Sequence, residues 1–200
     1  MLWPEPATSE TLLTDTSYSL AEIIDSEQGW LFYTAAFKTW RVIHSLVAGN
    51  SLLDIGCGSG IGLGLHQLFD PKLAVVGLEG NDDGRPVWDA RGLNVVTGDI
   101  YELPFKADEF DTVVSSHVLE HLEFPERALL ESMRVAKRRV IHAVPSGNVD
   151  DKNHGTPHLH IFSRVSIIEL AKKVGVESFS LHLAEDTHMS SLILAIDIQQ

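Results

Sequence analysis

Five short stretches hold the residues whose types and spacing suit chemistry. Between Leu52 and Leu65 the chain reads LLDIGCGSGIGLGL, with glycines at 56, 58, 60, 62 and 64 and Asp54 two places ahead of the first. Glycine costs about 1 kcal/mol against alanine inside a helix. A run of it marks a backbone that must bend tightly or let a ligand come close. No register of the run gives the dinucleotide fingerprint G-x-G-x-x-G. A carboxylate at Asp54 repels a pyrophosphate and suits a ligand carrying positive charge. Two more acids follow apolar runs: Glu79 in VVGLEGN and Asp99 in VVTGDIYELPF. Glu79 stands at the distance from the glycines expected of a carboxylate that accepts both ribose hydroxyls. Asp99 is placed to accept a hydrogen bond from an exocyclic amine. The fourth stretch, HVLEH, sets His117 and His121 four apart, on one helical face, with Glu120 between them. Taken alone, H-x-x-E-H is the inverzincin pattern of a zinc protease. Downstream, NHGTPHLHIFS adds His154, His158 and His160.

The elements that must position these residues follow from periodicity. Strand-type runs occur at Ser51–Ile55, Leu73–Leu78, Leu93–Thr97, Phe110–Ser115 and Arg139–Val144. Helix-type stretches lie between them at Ile61–Phe69, Asp82–Arg91 and Pro125–Ala136. Strand–helix–strand order implies a parallel sheet with helices on both faces. Ser163 is placed to cap a further helix ending at Lys173 with Gly175 as terminator, and Val176–Leu183 and Ser191–Ile198 read as a final hairpin. The fold class is therefore α/β, a Rossmann-like doubly wound sheet of seven strands, mostly parallel, with an antiparallel terminal hairpin. Such sheets bind ligands at the carboxyl ends of their strands, where Gly56, Gly58 and Gly60 fall. Gly62 and Gly64 belong to the first helical turns, with helix packing as their reason.

Residues 1–49 form an N-terminal arm and helical cap before a single unit at 50–200. Residues 1–16 are polar with two prolines; Ser19-Leu20-Ala21-Glu22 is a capping box. From Gln28 to Ala48, Trp30, Phe37, Trp40, Ile43 and Val47 recur at helical spacing and Tyr33 adds a further ring; plain core packing is the role expected of most of them.

In these residues the chain resembles the class I S-adenosylmethionine-dependent methyltransferases, of the small-molecule, methyltransferase-11-like type, over roughly Ser51 to Ile198. Asp54-x-Gly56-x-Gly58-x-Gly60 resembles the family's first motif. The resemblance implies S-adenosyl-L-methionine as cofactor, held by Asp54, Gly56, Cys57, Gly58, Gly60, Glu79, Gly80, Asp99, Ile100, Ser116 and His117. Within that set Asp54 faces the ammonium end through water, Glu79 takes the ribose, and Asp99 with Ile100 meets the adenine. FDTVVSSHVLEHL resembles the fourth-strand motif, whose backbone at Ser116 and His117 borders the methionine. Many relatives place a Pro-Gly-Gly turn before strand five; here RVAKRRVIHAVP runs straight into it.

The histidines carry the remaining choices. His158 and His160, with His117, are candidates to take a proton from an acceptor hydroxyl, since imidazole titrates near neutrality. Loop anchoring by hydrogen bonds is the competing role for His158 and His160. His142, inside strand five, reads as a satisfied core residue, whereas His44, His66, His182 and His188 offer nothing distinctive. Small-RNA 3′-terminal ribose 2′-O-methyltransferases resemble the chain in using E-x-x-E-H here with a later histidine. They place a metal where this sequence has Glu120, His121 and His158, although His117 replaces their first glutamate.

Composition narrows the partners. The net charge of −13 argues against broad phosphate-backbone binding, and Lys137-Arg138-Arg139 reads as a helix C-terminus meeting its dipole. One cysteine, Cys57, excludes an internal disulfide framework and fits the cytoplasm. No apolar run nears the roughly 20 residues of a membrane span, and no basic residue before Lys38 supplies a secretory n-region. The expected partner is a small-molecule methyl acceptor, without nucleic acid or membrane; the oligomeric state stays open. Three alternatives remain at this point: the metal-assisted RNA enzyme, a catalytically silent cofactor-binding module, and a nicotinamide oxidoreductase.

Overall fold

Leu52, Leu53, Asp54 and Ile55 are all buried, so β1 (Ser51–Ile55) is covered on both faces and belongs at the centre of a sheet. The computed structural model describes residues 37–146, 158–185 and 190–198. The expected N-terminal arm and capping-box helix, Trp30, Tyr33, His154 and His188 lie outside the described residues.

A helix over residues 37–45 (α1) precedes the sheet. The order then runs β1, α2 (Ile61–Phe69), β2 (Ala74–Glu79), α3 (Arg85–Ala90), β3 (Val95–Thr97), β4 (Phe110–Ser116) and a 3₁₀ turn (Leu119–His121). It continues with α4 (Pro125–Val135), β5 (Ala136–Pro145), α5 (Arg164–Lys173), β6 (Ser180–Ala184) and β7 (Ser191–Asp197). The seven strands stand in the order β3-β2-β1-β4-β5-β7-β6. Pairings from β3 through β5 are parallel, and β7 is antiparallel to both β5 and β6. The expected sheet is therefore present, and its order reverses between β1 and β4, where the glycine run leaves β1.

Alternation along the strands builds two apolar layers. Leu53, Ile55, Val113 and Val140 face α4 and α5 through Leu129, Ile167 and Ala171. Leu52, Val75, Val114 and Ile141 face the other side, which Trp40 and Ile43 of α1, Leu63 of α2 and Trp88 of α3 cover. Helix α5 starts with a reciprocal cap. Ser163 Oγ accepts from the Ser166 amide at 3.1 Å, and the Ser163 amide donates to Ser166 Oγ at 2.8 Å, worth about 1 kcal/mol.

Several expected boundaries shift, each for a local reason. Strand β5 is ten residues long and begins where α4 ends, so Lys137-Arg138-Arg139 lies in a strand and not at a helix terminus. Arg138 there pairs with Asp111 at 2.8 Å, and Arg139 pairs with Asp197 at 2.6 Å. Strand β6 starts at Ser180, because the Val176 amide is spent on closing α5 through the Ala171 carbonyl. Helix α3 starts at Arg85, since the Asp82 carboxylate bonds Arg85 and Thr97 instead of entering the helix. Among the described residues, no helix is long and apolar enough to cross a membrane.

Among the described residues the fold buries two histidines, one in β5 and one in α2. His142 Nδ1 meets Ser115 Oγ at 2.5 Å, but its Nε2 has no partner, so the expected satisfied core histidine is only half satisfied. Burial pushes it down to about 4. His66 also departs from expectation: it pairs Nδ1 to Nδ1 with His44 at 2.9 Å, and burial, then His44, push it down to about 3. A histidine held neutral by the fold stabilises fully above its unfolded pKa near 6.5, and that stability is lost as pH falls towards the folded value. His142→Gln removes one such group. Its destabilisation relative to wild type should shrink by about 3 kcal/mol between pH 7 and pH 4, read by urea unfolding across that range. A constant difference would assign the cost to packing alone.

Candidate active site

Gly56 carries φ +68, and a Cβ there would sit 2.6 Å from Val118 Cγ2, so a side chain meets both strain and overlap. The turn it opens is held from two sides. The Gly56 amide donates to the Leu78 carbonyl at 2.8 Å, and the Gly58 amide donates to Glu79 Oε2 at 2.7 Å. Trp88 Nε1 donates to the Gly58 carbonyl at 2.8 Å from the buried side. Gly60, also left-handed, caps the N-terminus of α2. A Cβ on Gly62 would overlap Trp40 and approach Asp54 Oδ2 to 2.7 Å, in keeping with the packing expectation. Gly64 departs from it: a Cβ there meets nothing within 4 Å.

A cleft of about 450 Å³ opens beside this turn, at the carboxyl ends of the strands. Gly56, Glu79, Gly80, Asp99 and Ile100 line one part of it, and Val118 and Leu122 form the facing wall. Glu79 Oε1 also accepts from the Gly80 amide at 3.0 Å, and Asp99 Oδ1 accepts from the Tyr101 amide at 2.8 Å. Asp54 lies beneath the turn. It is 1% exposed, its Oδ2 has no partner, and burial, then the Glu79 charge, hold its carboxyl well above the usual range. Cys57 points into the core layer beside Gly77, away from the cleft, and burial pushes its thiol up.

The segment between Val118 and Leu122, with the strap at 158–160, carries the second set of groups. His117 does not share a helical face with His121, contrary to expectation. It stays with the sheet edge, its amide donating to the Ala143 carbonyl at 2.9 Å, with φ +58. Ser116 ends β4 just before it. Glu120, in the 3₁₀ turn, is 1% exposed, neither carboxyl oxygen has a hydrogen-bond partner, and burial pushes it up to about 7. His117 Nδ1 stands 3.7 Å and His121 Nε2 3.9 Å from Glu120 Oε1. Ligand-capable atoms of Glu120, His121 and His158 all lie within 4.8 Å of one another.

His158 and His160 play different parts. The Leu159 and His160 amides both donate to the Glu120 carbonyl, at 2.8 and 3.1 Å. His160 Nε2 meets the Leu122 carbonyl at 2.9 Å and must be the donor, since a carbonyl only accepts. His160 thus anchors this strap to the turn. His158 instead sets its ring 4.8 Å from that of His121.

A methyltransferase-domain family model matches residues 53–144. A solved S-adenosylmethionine-dependent methyltransferase of Thermotoga maritima, described as a possible histamine N-methyltransferase, superposes with a TM-score of 0.69 at 18% identity, over 90% of this chain and 97% of its own. The fold is that of the class I S-adenosylmethionine-dependent methyltransferases, and the family match spans β1 to β5 of it. Among curated relatives, the tRNA (carboxymethyluridine(34)-5-O)-methyltransferase of Arabidopsis thaliana is 30% identical over 113 residues, 53% of this chain and 27% of that protein. Ajmaline N-methyltransferase of Rauvolfia serpentina is 32% identical over 97 residues, 44% of this chain and 32% of that protein. The chain thus spans about a third or less of these relatives' lengths.

The cleft residues fit a cationic nucleoside such as S-adenosylmethionine on their own geometry. Space beside Gly58 is open, the buried Asp54 Oδ2 has no hydrogen-bond partner among the described residues, and two carboxylates edge the cleft. Of the sequence-derived set, Gly56, Glu79, Gly80, Asp99 and Ile100 line the cleft, whereas Asp54 is buried beneath the turn and Gly58 holds the Glu79 carboxylate through its amide. Sequence reasoning missed Trp88 behind the turn and Val118 and Leu122 in the wall. The apolar positions of HVLEHL were the available signal for the wall; nothing local pointed to Trp88.

Proposed function

We propose that the protein moves the methyl group of S-adenosylmethionine to a hydroxyl oxygen of a small molecule, with the cleft holding the cofactor and the Glu120 turn facing the acceptor. The bound cofactor supplies an electrophilic methyl on a sulfonium. Glu79 takes the ribose hydroxyls, Asp99 with Ile100 receives the adenine, Asp54 balances the ammonium, and the Ser116–His117 backbone borders the methionine. Aligning acceptor and methyl in line can supply on the order of 7–11 kcal/mol of barrier reduction. An oxygen acceptor also has a proton to lose. The observation that carries the oxygen reading is the buried, unpartnered Glu120 carboxyl with His117, His121 and His158 around it. His158, on the strap, accepts that proton most directly.

Residues 1–49, of which α1 packs on the sheet, contribute to acceptor selection ahead of the unit at 50–200, and the protein works in the cytoplasm, where its single thiol stays reduced. The net charge of −13 favours a small acceptor over RNA, whose binding needs basic surface. The test incubates the protein with methyl-labelled S-adenosylmethionine and, in separate arms, hydroxylated small molecules, amines and total tRNA. Label in an alkali-stable ether on a small molecule is the expected result. Label confined to RNA or to nitrogen overturns the acceptor reading, and failure to bind S-adenosylhomocysteine overturns the enzyme reading.

A further inference from the structure

We propose that Ser191 and Thr39 are positioning residues for the cleft: they brace His117 from behind, and His117 in turn seats the wall residue Val118. Ser191 opens β7 and Thr39 lies in α1, and both are fully buried. Hydroxyls at that depth must find partners. These two find each other at 3.0 Å, although 152 residues separate them in the chain. Ser191 Oγ also stands 3.0 Å from His117 Nε2. The line Thr39–Ser191–His117 thus runs from α1 through the start of β7 to the corner after β4. The proposed methyl transfer gives neither hydroxyl a part.

The corner needs such a brace. His117 has φ +58, a left-handed conformation that residues with side chains adopt rarely and that persists only where the surroundings over-determine it. Its amide, donating to the Ala143 carbonyl at 2.9 Å, fixes the backbone, and the Nε2 contact with Ser191 fixes the ring. The next residue, Val118, lines the cleft, and its Cγ2 stands 2.6 Å from the point a Cβ on Gly56 would occupy. Val118 therefore rests against the glycine turn, and any turn of the corner moves the wall. Loss of either hydroxyl loosens the ring and lowers the fraction of molecules whose cleft is ready for a ligand. Apparent affinity falls by that fraction. Taking the ligand as S-adenosylmethionine rests on the proposed function; the brace itself does not.

The test uses the full chain, labelled at its histidine nitrogens. It reads the His117 ring by NMR, with His117→Asn assigning the signals, and S-adenosylhomocysteine affinity by calorimetry. Ser191→Ala and Thr39→Val, the second nearly unchanged in shape, should each move the His117 ring signals and weaken the nucleoside about fivefold. Thr39→Ser keeps the hydroxyl and should restore both readouts. The double variant should bind no more weakly than Ser191→Ala alone, since both changes act through one ring, whereas two unrelated packing defects would add. Ser132→Ala removes an equally buried hydroxyl, one that donates to the Ala128 carbonyl within α4 at 2.8 Å, and should leave both readouts at wild type. Thermal unfolding confirms that each variant folds, and should Ser191→Ala fail to do so, Thr39→Val carries the test. Unmoved ring signals, affinity within about twofold of wild type, or additive losses in the double variant overturn the brace. If the wild type binds no S-adenosylhomocysteine, the methyltransferase reading falls and the ring signals alone decide the brace.

Discussion

Glu79→Ala weakens S-adenosylhomocysteine binding about tenfold to a hundredfold, measured by isothermal titration calorimetry at pH 7. Hydrogen bonds to a charged group contribute about 1.5–3 kcal/mol, and each 1.4 kcal/mol is a factor of ten. Glu79 offers two such effects at once. Its carboxylate edges the cleft where a ribose diol can meet it, and it also holds the Gly58 amide at 2.7 Å and so fixes the turn. Glu79→Gln keeps an acceptor oxygen but loses the charge, so its affinity should fall between wild type and Glu79→Ala. Asp99→Ala should lose a comparable amount through the adenine end. If both alanine variants bind within about fivefold of wild type, corresponding to roughly 1 kcal/mol, the cofactor lies elsewhere.

Trp88→Ala should produce the largest loss of stability, about 3–5 kcal/mol in urea unfolding. The ring is fully buried on the α3 side of the sheet and is among the largest fully buried side chains. Against a typical domain stability of about 5–15 kcal/mol, that loss leaves a marginal fold. Trp88→Phe separates packing from hydrogen bonding. It keeps most of the volume but drops the bond to the Gly58 carbonyl, costing about 1 kcal/mol. Because that carbonyl belongs to the glycine turn, Trp88→Phe should also weaken S-adenosylhomocysteine several-fold. A Trp88→Ala loss below 1 kcal/mol would mean that the α3 side is not packed as described.

Much of this was legible from the chain because the governing rules are local. Alternation along β1, β4 and β5 and the capping pair at Ser163 are properties of neighbouring residues, and the element order follows from them. Right-handed crossovers then leave few ways to assemble a parallel sheet. Boundaries proved weaker where a backbone group had a tertiary partner. Val176 was expected in a strand, but its amide completes α5; Lys137-Arg138-Arg139 was expected in a helix, but the sheet and the carboxylates of Asp111 and Asp197 claim it.

By itself, the sequence determined the α/β class, the glycine turn at the end of β1, and Glu79 and Asp99 at the ends of the next strands. Each of those follows from periodicity and from the geometry of a strand end. Only the tertiary structure decided which histidines matter. It turned His160 into an anchor, held His117 at the sheet edge, and brought His158 back to Glu120 and His121 by tying the strap to the 3₁₀ turn. Contacts between segments far apart in the chain are set by how layers pack, and packing leaves no period in the sequence to read.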